Sequence, residues 1–419
     1  MKVEASVKEV RGRLRAPSSK SAVQRYIAGA LLAEGLSTIS VNSMCDDSLA
    51  ALSVATELGA EATTCGDSIK IKGGFNPKTN KINCGESGLA TRMFIPIAAI
   101  HNREITVTGR GSLMKRPVKM VEEPLRQLGV HISSKDGYLP VKIKGPLTGG
   151  EVHADGSISS QFITGLLMAL PVAQKNSCVI VENLVSRPYI DLTIKILQEF
   201  DIEIVNDNYR VFSIKGGQKY TPGTFTAEGD WSGAAFLLVM GAIGGKVEVT
   251  GLRTDSVQAD KAILEPLMMA GASVSVEAGR IKVEKKELNS FEFDISDCPD
   301  LAPPLAVLAA ACNGKSVLRG AHRLVAKESN RAETITAALN AIGANIKTSG
   351  DIIEIYGNKT LSGGESSAYN DHRIAMALAT ASAISTSPVR IEGMEAINKS
   401  YPGFIDDFRK LGGKIKIVK

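Results

Sequence analysis

Several features that would place the chain in a large class of proteins are scarce or missing. The six cysteines include no CxxC pair, and no histidine lies near them at metal-ligand spacing, which argues against a zinc site and a disulfide framework. No uncharged apolar run approaches the roughly 18 residues that cross a bilayer. The opening residues, MKVEASVKEV, are charged and strand-like, unlike a signal or transit peptide. We therefore expect a cytoplasmic protein with reduced thiols.

A strong charge of either sign is also missing. Lys and Arg number 49 and Asp and Glu number 44, a surplus of +5 that fits small anionic substrates but does not indicate nucleic-acid or membrane binding. The run NGKS (313–316) ends like a phosphate-binding loop, but Ala309 replaces its first glycine. GRG (109–111) opens like a dinucleotide motif, but Met114 replaces the third glycine. We predict no cofactor and no metal, and we expect a monomer.

The sequence does contain an internal repeat. Six helix-like apolar runs each end at a turn-forming residue and lead into alternating, strand-like residues. The turn-forming residues are Gly59, Gly129, Asp201, Gly271, Gly343 and Gly412, which are 70, 72, 70, 72 and 69 residues apart. Each fits a left-handed helix C-cap, and the alternation after it fits a half-buried hairpin. A fixed period of this length predicts a repeated unit of helices and strands.

The sixth repeat has one strand fewer than the others. Residues 1–13 alternate roughly between apolar and polar and are the best candidate to complete its sheet. Both ends of the chain would then belong to one domain of three repeats, and the middle of the chain to another. We predict one domain of residues 1–14 with 227–419 and a second of residues 15–226, with adjacent crossings near residues 13–17 and 220–227.

Polar and charged residues gather where loops lead into helices in the first half of the chain. Lys20, Ser21 and Arg25 lie near a helix start, where unpaired N–H groups and the helix dipole favour an anion. Gly88 would allow close approach to the backbone, and Arg116 offers a planar donor fork. Similar clusters are SSQF (159–162) and SRPYID (186–191). A capped helix explains each cluster alone, but five at comparable places favour a binding surface.

The second half of the chain supplies charge of both signs. Asp300 directly precedes a strongly apolar run. Lys327, Glu328 and Arg331 are expected within about one helical turn, because residues four apart share a face. A salt-bridged helix face would explain these three residues equally well, and a capped, hydrogen-bonded histidine would explain His372 in NDHR (370–373).

Together the motifs, their order and the repeat resemble the 5-enolpyruvylshikimate-3-phosphate synthase family over essentially the whole chain. The resemblance lies in SSKSAVQR (18–25), CGESGLATR (84–92), KRP (115–117), SSQF (159–162), SRPYIDLT (186–193), PDLA (299–302), KESNR (327–331), NDHRIAM (370–376) and NKSYPGF (398–404). It implies the α/β, two-domain enolpyruvyl transferase fold, in which each domain has three repeated βαβαββ units and a double crossover joins the domains. It also implies an active site in the cleft between the domains, which shikimate 3-phosphate would close.

The resemblance also implies which residues bind the two substrates. Shikimate 3-phosphate would be bound by Lys20, Ser21, Arg25, Ser159, Ser160, Gln161, Ser186, Tyr189, Asp300, Arg323 and Lys327. Phosphoenolpyruvate would be bound by Lys20, Gly88, Arg116, Gln161, Arg331, Arg373 and Lys399. Both substrates carry negative groups that repel each other, so many Lys and Arg donors are needed to hold them together.

The implied reaction transfers the enolpyruvyl group of phosphoenolpyruvate to the 5-hydroxyl of shikimate 3-phosphate, on the pathway to chorismate and the aromatic amino acids. It proceeds by addition and elimination through a tetrahedral intermediate and releases phosphate. Asp300 is the expected base toward the 5-hydroxyl. Lys20 and Glu328 are the expected proton-handling pair at the enol carbon, with His372 in support.

The chain departs from the family pattern at three positions, and three other functions compete with this interpretation. Leu89 replaces a common Thr, Glu86 a frequent Asn, and Arg323 an Asn, which suggests a stronger ionic contact with the shikimate phosphate. The nearest alternative is the related enolpyruvyl transferase that acts on UDP-N-acetylglucosamine. The others are an RNA 3′-phosphate cyclase-like protein and a catalytically silent repeat scaffold.

Overall fold

The computed structural model describes residues 1–325 and 327–418. The chain forms two compact units, one of Met1–Ser19 with Glu228–Lys419 and one of Lys20–Ala227. We call them the terminal unit and the middle unit. The sequence predicted the divisions a few residues earlier, after residue 14 and after residue 226. The first two strands, β1 (Lys2–Val7) and β2 (Val10–Arg15), belong to the terminal unit.

The middle unit follows along the chain and contains six α-helices and twelve strands. They are α1 (Lys20–Leu32), β3 (Gly35–Ser40), α2 (Asp46–Glu57), β4 (Glu61–Cys65), β5 (Ser68–Gly73), β6 (Lys81–Asn83), α3 (Gly88–Ala98), β7 (Glu104–Thr108), α4 (Glu122–Gln127), β8 (His131–Lys135), β9 (Tyr138–Lys144), β10 (Glu151–Asp155), α5 (Gln161–Ala169), β11 (Ser177–Glu182), α6 (Pro188–Glu199), β12 (Ile204–Asp207), β13 (Val211–Ile214) and β14 (Thr224–Thr226).

The rest of the terminal unit completes the chain. Its elements are α7 (Trp231–Gly244), β15 (Gly245–Thr250), α8 (Leu264–Met269), β16 (Ser273–Glu277), β17 (Arg280–Glu284), β18 (Glu292–Asp294), α9 (Ala302–Ala311), β19 (Asn313–Arg319), α10 (Arg331–Asn340), β20 (Ile346–Ser349), β21 (Ile352–Asn358), β22 (Gly364–Ser367), α11 (His372–Ala381), β23 (Val389–Glu392), α12 (Phe404–Lys410) and β24 (Gly413–Val418).

All six sheets of the described chain have four strands in the same arrangement. The middle unit has the orders β14-β3-β5-β4, β6-β7-β9-β8 and β10-β11-β13-β12, and the terminal unit has β2-β15-β17-β16, β18-β19-β21-β20 and β22-β23-β1-β24. In each sheet the first two strands are parallel and the others antiparallel. In four of the six sheets a helix joins the parallel pair, and in five a hairpin supplies the antiparallel strands at the other edge. The predicted α/β fold with three βαβαββ units in each half is confirmed.

Strand β1 completes the last repeat, as the sequence predicted. It lies between β23 and β24 and is antiparallel to both, so that Ala5 pairs with Val389 on one side and Ile415 on the other. The prediction of one strand through residue 13 was wrong. Val7 and Val10 are three residues apart, which would place them on opposite faces of a single strand. The chain bends between them, and β2 joins a different sheet.

Two strands are exchanged along the chain, and this exchange produces the double crossover. Strand β2 pairs in parallel with β15 of the terminal unit, but the helix that follows β2 belongs to the middle unit. Strand β14 pairs with β3 of the middle unit, but α7 follows it in the terminal unit. The two crossing segments run side by side, because Ser18 and Gly229 form an antiparallel bridge and the Ser19 amide donates to the Glu228 carbonyl at 2.8 Å.

Buried helices form the core of each unit. All ten residues of α9 are buried, as are thirteen of the fourteen residues of α7, which is expected for helices that are apolar on every side. Helix α11 packs against both. In the middle unit α3 packs against α5, and α1 contacts α3 and α6. Polar side chains therefore gather at the ends of these helices.

The turn-forming residues of the repeat adopt the predicted left-handed conformation. Their φ angles are +129° at Gly59, +83° at Gly129, +61° at Asp201, +91° at Gly271, +97° at Gly343 and +96° at Gly412. Each follows a helix, which confirms the C-cap interpretation. The first five open the hairpin that ends their repeat, and Gly412 leads into β24, which pairs with β1.

Among the described residues, the helices are all too short or too polar to cross a membrane.

Candidate active site

The residues predicted from the sequence form one group in each unit. The middle unit carries Lys20, Ser21, Arg25, Gly88, Arg116, Ser159, Ser160, Gln161, Ser186 and Tyr189, and the terminal unit carries Asp300, Arg323, Lys327, Glu328, Arg331, His372, Arg373 and Lys399. Most stand at or just before the N-terminal end of a helix. Backbone N–H groups there have no partner within the helix and favour negatively charged ligands.

Lys20 is held by a carboxylate at the start of a neighbouring helix. Its Nζ donates to Oδ2 of Asp47 at 3.0 Å, and both side chains are largely buried. Lys20 begins α1 and Asp47 lies in the first turn of α2. The ion pair fixes the position of the ammonium group, and the sequence analysis did not single out Asp47.

The Arg25 guanidinium is fully buried and bonded to three segments of the middle unit. Nε donates to Oγ1 of Thr193 at 2.9 Å, Nη1 to the Ser21 carbonyl at 2.8 Å, and Nη2 to the Tyr189 carbonyl and to Oγ1 of Thr164, each at 3.2 Å. Burial lowers the pKa of Arg25 to about 10, although Tyr189 acts in the opposite direction. Arg25 therefore remains charged at neutral pH and links the backbone of two other predicted residues.

The Arg116 guanidinium lies against Gly88 at the start of α3. A Cβ atom built on Gly88 would lie 2.6 Å from Nη1 of Arg116, closer than such atoms approach in proteins. Arg116 is itself buried. Glycine at position 88 is therefore what allows the guanidinium to lie beside the first turn of the helix.

Arg92 is a buried residue that the sequence analysis did not single out. Its Nη1 donates to Oε1 of Gln161 at 2.8 Å, and its Nη2 donates to the Pro117 carbonyl at 3.1 Å. It thereby fixes the Gln161 side chain at the start of α5 and the backbone next to Arg116. Arg92 connects predicted residues that are far apart in the sequence.

The serine-rich loops adopt defined conformations at two helix starts. Oγ of Ser159 accepts from the Gln161 amide at 3.2 Å, and Ser160 directly precedes α5. Ser186 is buried and has a φ of +55°, which costs a non-glycine residue about 1–3 kcal/mol. Tyr189 follows in the first turn of α6. A strained backbone at Ser186 is typical of a loop shaped to bind a ligand.

Asp300 is the centre of the ionic cluster in the terminal unit. Its Oδ2 accepts from Nη2 of Arg373 at 2.8 Å, and its Oδ1 accepts from Nη1 of Arg331 at 2.8 Å. Nζ of Lys327 lies 3.9 Å from Oδ1. Asp300 stands in the turn before α9, while Arg331 begins α10 and Arg373 lies in the first turn of α11. Four predicted residues are thus brought together.

Arg331 is bound by three carboxylates and has no exposed surface. Besides Asp300, its Nη2 donates to Oε2 of Glu328 at 2.5 Å and its Nε donates to Oδ2 of Asp371 at 2.9 Å. Burial alone would lower the pKa of Arg331, but the three carboxylates raise it. Asp371 also caps α11 by accepting from the Arg373 amide at 2.9 Å.

Neighbouring charges set the protonation of Asp300 and Lys327. Burial alone would raise the pKa of Asp300, but the charges of Arg373, Lys327 and Arg331 hold it well below its usual range. Burial lowers the pKa of Lys327 to about 8, although the nearby Asp300 carboxylate opposes this change. Before substrate binds, Asp300 is therefore an ionised carboxylate and Lys327 is an ammonium that deprotonates in mildly alkaline solution.

The remaining predicted residues of the terminal unit surround this cluster. His372 is buried, and its Nδ1 lies 3.9 Å from Oδ1 of Asp371. Nζ of Lys399 donates to the Asn370 carbonyl at 2.8 Å. Arg323 makes a long hydrogen bond of 3.4 Å to the Ser296 carbonyl, on the loop that leads to Asp300.

The expectation that Lys327, Glu328 and Arg331 share one helical turn was wrong. Lys327 to Asn330 form a loop, and α10 begins only at Arg331. The side chains of this loop bind other segments instead of a helix face, since Oγ of Ser329 donates to Oδ2 of Asp371 at 3.0 Å. The ion pair between Glu328 and Arg331 is nevertheless present.

Two of the departures from the family pattern lie in the loop before α3. The Glu86 carboxylate turns toward Gly111 and accepts from Oγ of Ser112 at 3.3 Å. Leu89 is buried in the first turn of the helix. The acidic side chain is therefore bound to the loop that leads to Arg116. Among the described residues there is no group of three or more His, Cys, Asp or Glu side chains arranged to hold a metal ion.

The fold is that of the enolpyruvyl transferases. The chain aligns with the solved structure of the enolpyruvyl transferase NikO from Streptomyces tendae with a TM-score of 0.79. The alignment covers 99% of this chain and 98% of NikO. Its sequence identity is only 15%, so this similarity shows the fold alone. The EPSP synthase structure from Acinetobacter baumannii has a TM-score of 0.86 at 25% identity and covers both chains completely.

Sequence comparison identifies the family. The sequence model of the family EPSP synthase (3-phosphoshikimate 1-carboxyvinyltransferase) matches residues 5–408. The 3-phosphoshikimate 1-carboxyvinyltransferase of Clostridium kluyveri is 39% identical over 410 residues, covering 97% of this chain and 96% of the relative. That of Clostridioides difficile is 37% identical over 418 residues, covering 96% of each. The chain belongs to the EPSP synthase family.

Proposed function

We infer that the protein acts as a 3-phosphoshikimate 1-carboxyvinyltransferase. It transfers the enolpyruvyl group of phosphoenolpyruvate to the 5-hydroxyl of shikimate 3-phosphate and releases phosphate, on the route to chorismate and the aromatic amino acids. Family membership across residues 5–408 carries this conclusion. The clusters of buried cations in both units provide the donors that two anionic substrates require.

We propose that the middle-unit group binds most of shikimate 3-phosphate. Ser159, Ser160 and Ser186 provide hydroxyl donors at the starts of α5 and α6. Lys20 provides a cation fixed by Asp47. Gln161, whose carbonyl oxygen is engaged by Arg92, keeps its amide donors for the substrates.

Phosphoenolpyruvate competes with Asp300 for two guanidinium groups in this proposal. Arg331 and Arg373 are the proposed ligands of its carboxylate, and both now donate to the Asp300 carboxylate at 2.8 Å. A substrate carboxylate offers the same bidentate acceptor. Its binding would withdraw Arg331 and Arg373 from Asp300.

This exchange explains how Asp300 becomes a base. While both arginines are bound to it, Asp300 has a pKa well below its usual range and holds a proton poorly. Removing these cations raises the pKa, because an opposite charge at this distance favours the ionised form. Asp300 would then accept the 5-hydroxyl proton while that oxygen bonds to C2 of phosphoenolpyruvate.

Proton transfer at C3 is assigned to the remaining polar groups. In the addition step C3 gains a proton from Lys20 or Glu328, which gives the tetrahedral intermediate. In the elimination step C3 returns a proton to the basic form of that group, the C2–C3 double bond forms as the C2–O bond to phosphate breaks, and phosphate leaves. His372 supports the cluster through Asp371. The assignment of roles between Lys20 and Glu328 is part of this proposal.

The test is phosphate release by purified protein without added metal. Protein and phosphoenolpyruvate are combined with shikimate 3-phosphate and, in parallel, with UDP-N-acetylglucosamine. We expect release only with shikimate 3-phosphate. Release only with the UDP-sugar would assign the other enolpyruvyl transfer reaction, and release with neither would contradict an enzymatic function.

A further inference from the structure

A second buried carboxyl group lies next to the Asp300 cluster. Asp260 stands on the short 3-10 turn Ala259–Ile263 and is 1% exposed. This turn packs against α7 and against the turn Pro299–Leu301, which carries Asp300. The hydroxyl of Ser232, in the first turn of α7, donates to Oδ2 of Asp260. Oδ1 has no hydrogen-bond partner among the described residues.

More carboxyl groups than cations act on Asp260. Asp300 and Asp230 are the carboxyl groups, and Arg373 is the cation. Arg331 binds three carboxylates, and Asp230 caps α7 by accepting the Ser232 amide at 2.9 Å. Within the described chain, Asp260 forms no ion pair with any cation. A buried carboxyl group in that position strongly favours its neutral form.

The groups that face Asp260 act on it in opposite directions. Burial and, after it, the charge of Asp300 raise the pKa of Asp260 to about 7, although Arg373 and the Ser232 hydrogen bond oppose this. Asp230 adds a smaller increase.

The other polar groups around this turn are accounted for. The buried thiol of Cys298, beside Asp300, has a pKa raised by burial and by Asp260 and stays protonated. On its own turn, Lys261 donates to the Thr254 carbonyl at 3.1 Å, and Glu265 on α8 is exposed. Cys298 stays neutral and Asp300 stays ionised, so Asp260 is the acid among these three whose charge changes near neutral pH.

Arg373 connects Asp260 to the reaction. Only its Nη2 is engaged by Asp300, whereas its Nε and Nη1 have no hydrogen-bond partner in the part of the chain that the structure describes. Its backbone is fixed by the Asp371 cap at the start of α11. Two donors of a nearly buried guanidinium thus remain for an anion.

We propose that Asp260 is a positioning residue: as a neutral acid it leaves the charge of Arg373 available to phosphoenolpyruvate, and once ionised it weakens the binding of that substrate. The proposal rests on the function inferred above. An ionised Asp260 adds a negative charge that repels an anionic substrate and competes for the two remaining donors of Arg373. A neutral Asp260 does neither.

The test compares the pH dependence of the KM for phosphoenolpyruvate in the native protein and in Asp260→Asn. The amide has nearly the same shape, accepts the Ser232 hydrogen bond and cannot ionise. Titration of the substrates affects both proteins equally, so it cancels in the ratio of native KM to variant KM. We expect this ratio to be constant in mildly acidic solution and to rise about tenfold through neutral pH. A purely structural role of Asp260 would change the ratio equally at every pH.

Two further variants sharpen the test. Ser232→Ala removes a hydrogen bond that lowers the pKa of Asp260, so the rise in KM should move to higher pH. Asp406→Asn makes the same chemical change at an exposed position of the terminal unit, and the ratio of native KM to KM for this variant should not depend on pH. The infrared difference spectrum of native protein minus Asp260→Asn should contain a carboxylic-acid band that disappears as the pH is raised.

The outcomes distinguish this proposal from the proposed function. A ratio that stays flat in an active protein, or an infrared spectrum without the carboxylic-acid band below neutral pH, overturns the role of Asp260 and leaves the transferase assignment intact. Native protein that releases no phosphate from phosphoenolpyruvate and shikimate 3-phosphate overturns the function itself, and the infrared band then still reports the protonation of Asp260.

Discussion

Asp300 is ion-paired to the same arginines that we propose bind phosphoenolpyruvate. Its carboxylate accepts from Arg331 and Arg373 at 2.8 Å each, and it is 22% exposed. A buried guanidinium left without an acceptor is costly, so a carboxylate occupies the site before substrate arrives. The substrate carboxylate can take over this role at little energetic cost, and Asp300 is then available as a base.

The first prediction concerns Asp300→Asn. We expect kcat to fall by about 100- to 10,000-fold, since a positioned general base is lost. The free energy of unfolding should fall by only about 1–3 kcal/mol, because the amide oxygen still accepts one hydrogen bond and Arg331 keeps Glu328 and Asp371. Phosphate release and chemical denaturation measure the two effects. Near-normal turnover in a folded variant would contradict the role, and Asp351→Asn serves as the control.

The second prediction concerns the pH dependence of Lys327. Its pKa is about 8, so the ammonium charge is present below this pH and is lost above it. If Lys327 binds shikimate 3-phosphate, the KM for that substrate should rise by about 10- to 100-fold in alkaline solution, because a charge-assisted hydrogen bond is lost. Lys327→Arg stays charged and should remove most of this rise. The same alkaline increase in both proteins would contradict the prediction.

Several residues of the site could not be predicted from the sequence. Arg92 contacts Gln161, Lys20 contacts Asp47, and Asp260 contacts Ser232, and each pair is separated by 27 to 69 residues. No local pattern connects such residues, because the fold alone brings them together. The residues that directly follow turn signals, such as Lys20 and Arg373, could be predicted, since the residue pattern at a helix start is recognisable in the sequence.

The positions at which the buried helices begin determine where the site residues lie. Helices α1, α3 and α5 of the middle unit and α9 and α11 of the terminal unit occupy the same position in their repeats, after the first strand of each sheet. The chain emerges from each first strand into a loop and then enters the helix. Repetition therefore produces a set of equivalent helix N-termini, each able to offer backbone donors to an anion.

The third prediction concerns the start of α3. Gly88→Ala would place a methyl group 2.6 Å from Nη1 of Arg116, so the buried guanidinium must move. We expect the KM for phosphoenolpyruvate to rise about tenfold or more, the loss expected for one weakened charge-assisted hydrogen bond. Arg116→Lys removes the planar fork without crowding Gly88 and should raise the same KM. An unchanged KM in Gly88→Ala would contradict the proposed contact between Arg116 and this substrate.

The periodicity of the sequence predicted the regular elements, but not the loops shaped by ionic contacts. Apolar spacing and the glycine turns indicate the βαβαββ unit, because they report local geometry directly. The segment from Lys327 to Asn330 has a helical pattern of charges, yet its side chains bind Arg331 and Asp371 from a loop. Contacts with other repeats outweighed the weak helix preference of these residues.

The strand exchange makes the middle unit continuous in sequence. All twelve of its strands lie between Lys20 and Ala227, and β14, near the end of this segment, supplies the first strand of the sheet that contains β3. The terminal unit is discontinuous, but its two segments meet where the Ser19 amide donates to the Glu228 carbonyl at 2.8 Å. Each unit therefore contains its own complete sheets and buried helices.

The last prediction is that each unit folds alone and neither is active alone. Residues 20–227 expressed by themselves, and residues 1–19 joined by a short Gly-Ser linker to residues 228–419, should each unfold cooperatively in denaturant, since each has a core of its own. Neither should release phosphate, because the residues proposed to bind phosphoenolpyruvate are divided between them, with Arg116 in the first and Arg373 in the second.

The full chain, measured in parallel, provides the reference for activity. Turnover by either fragment would show that the other unit is not required. An unfolded fragment 20–227 would show that its three sheets are not stable by themselves.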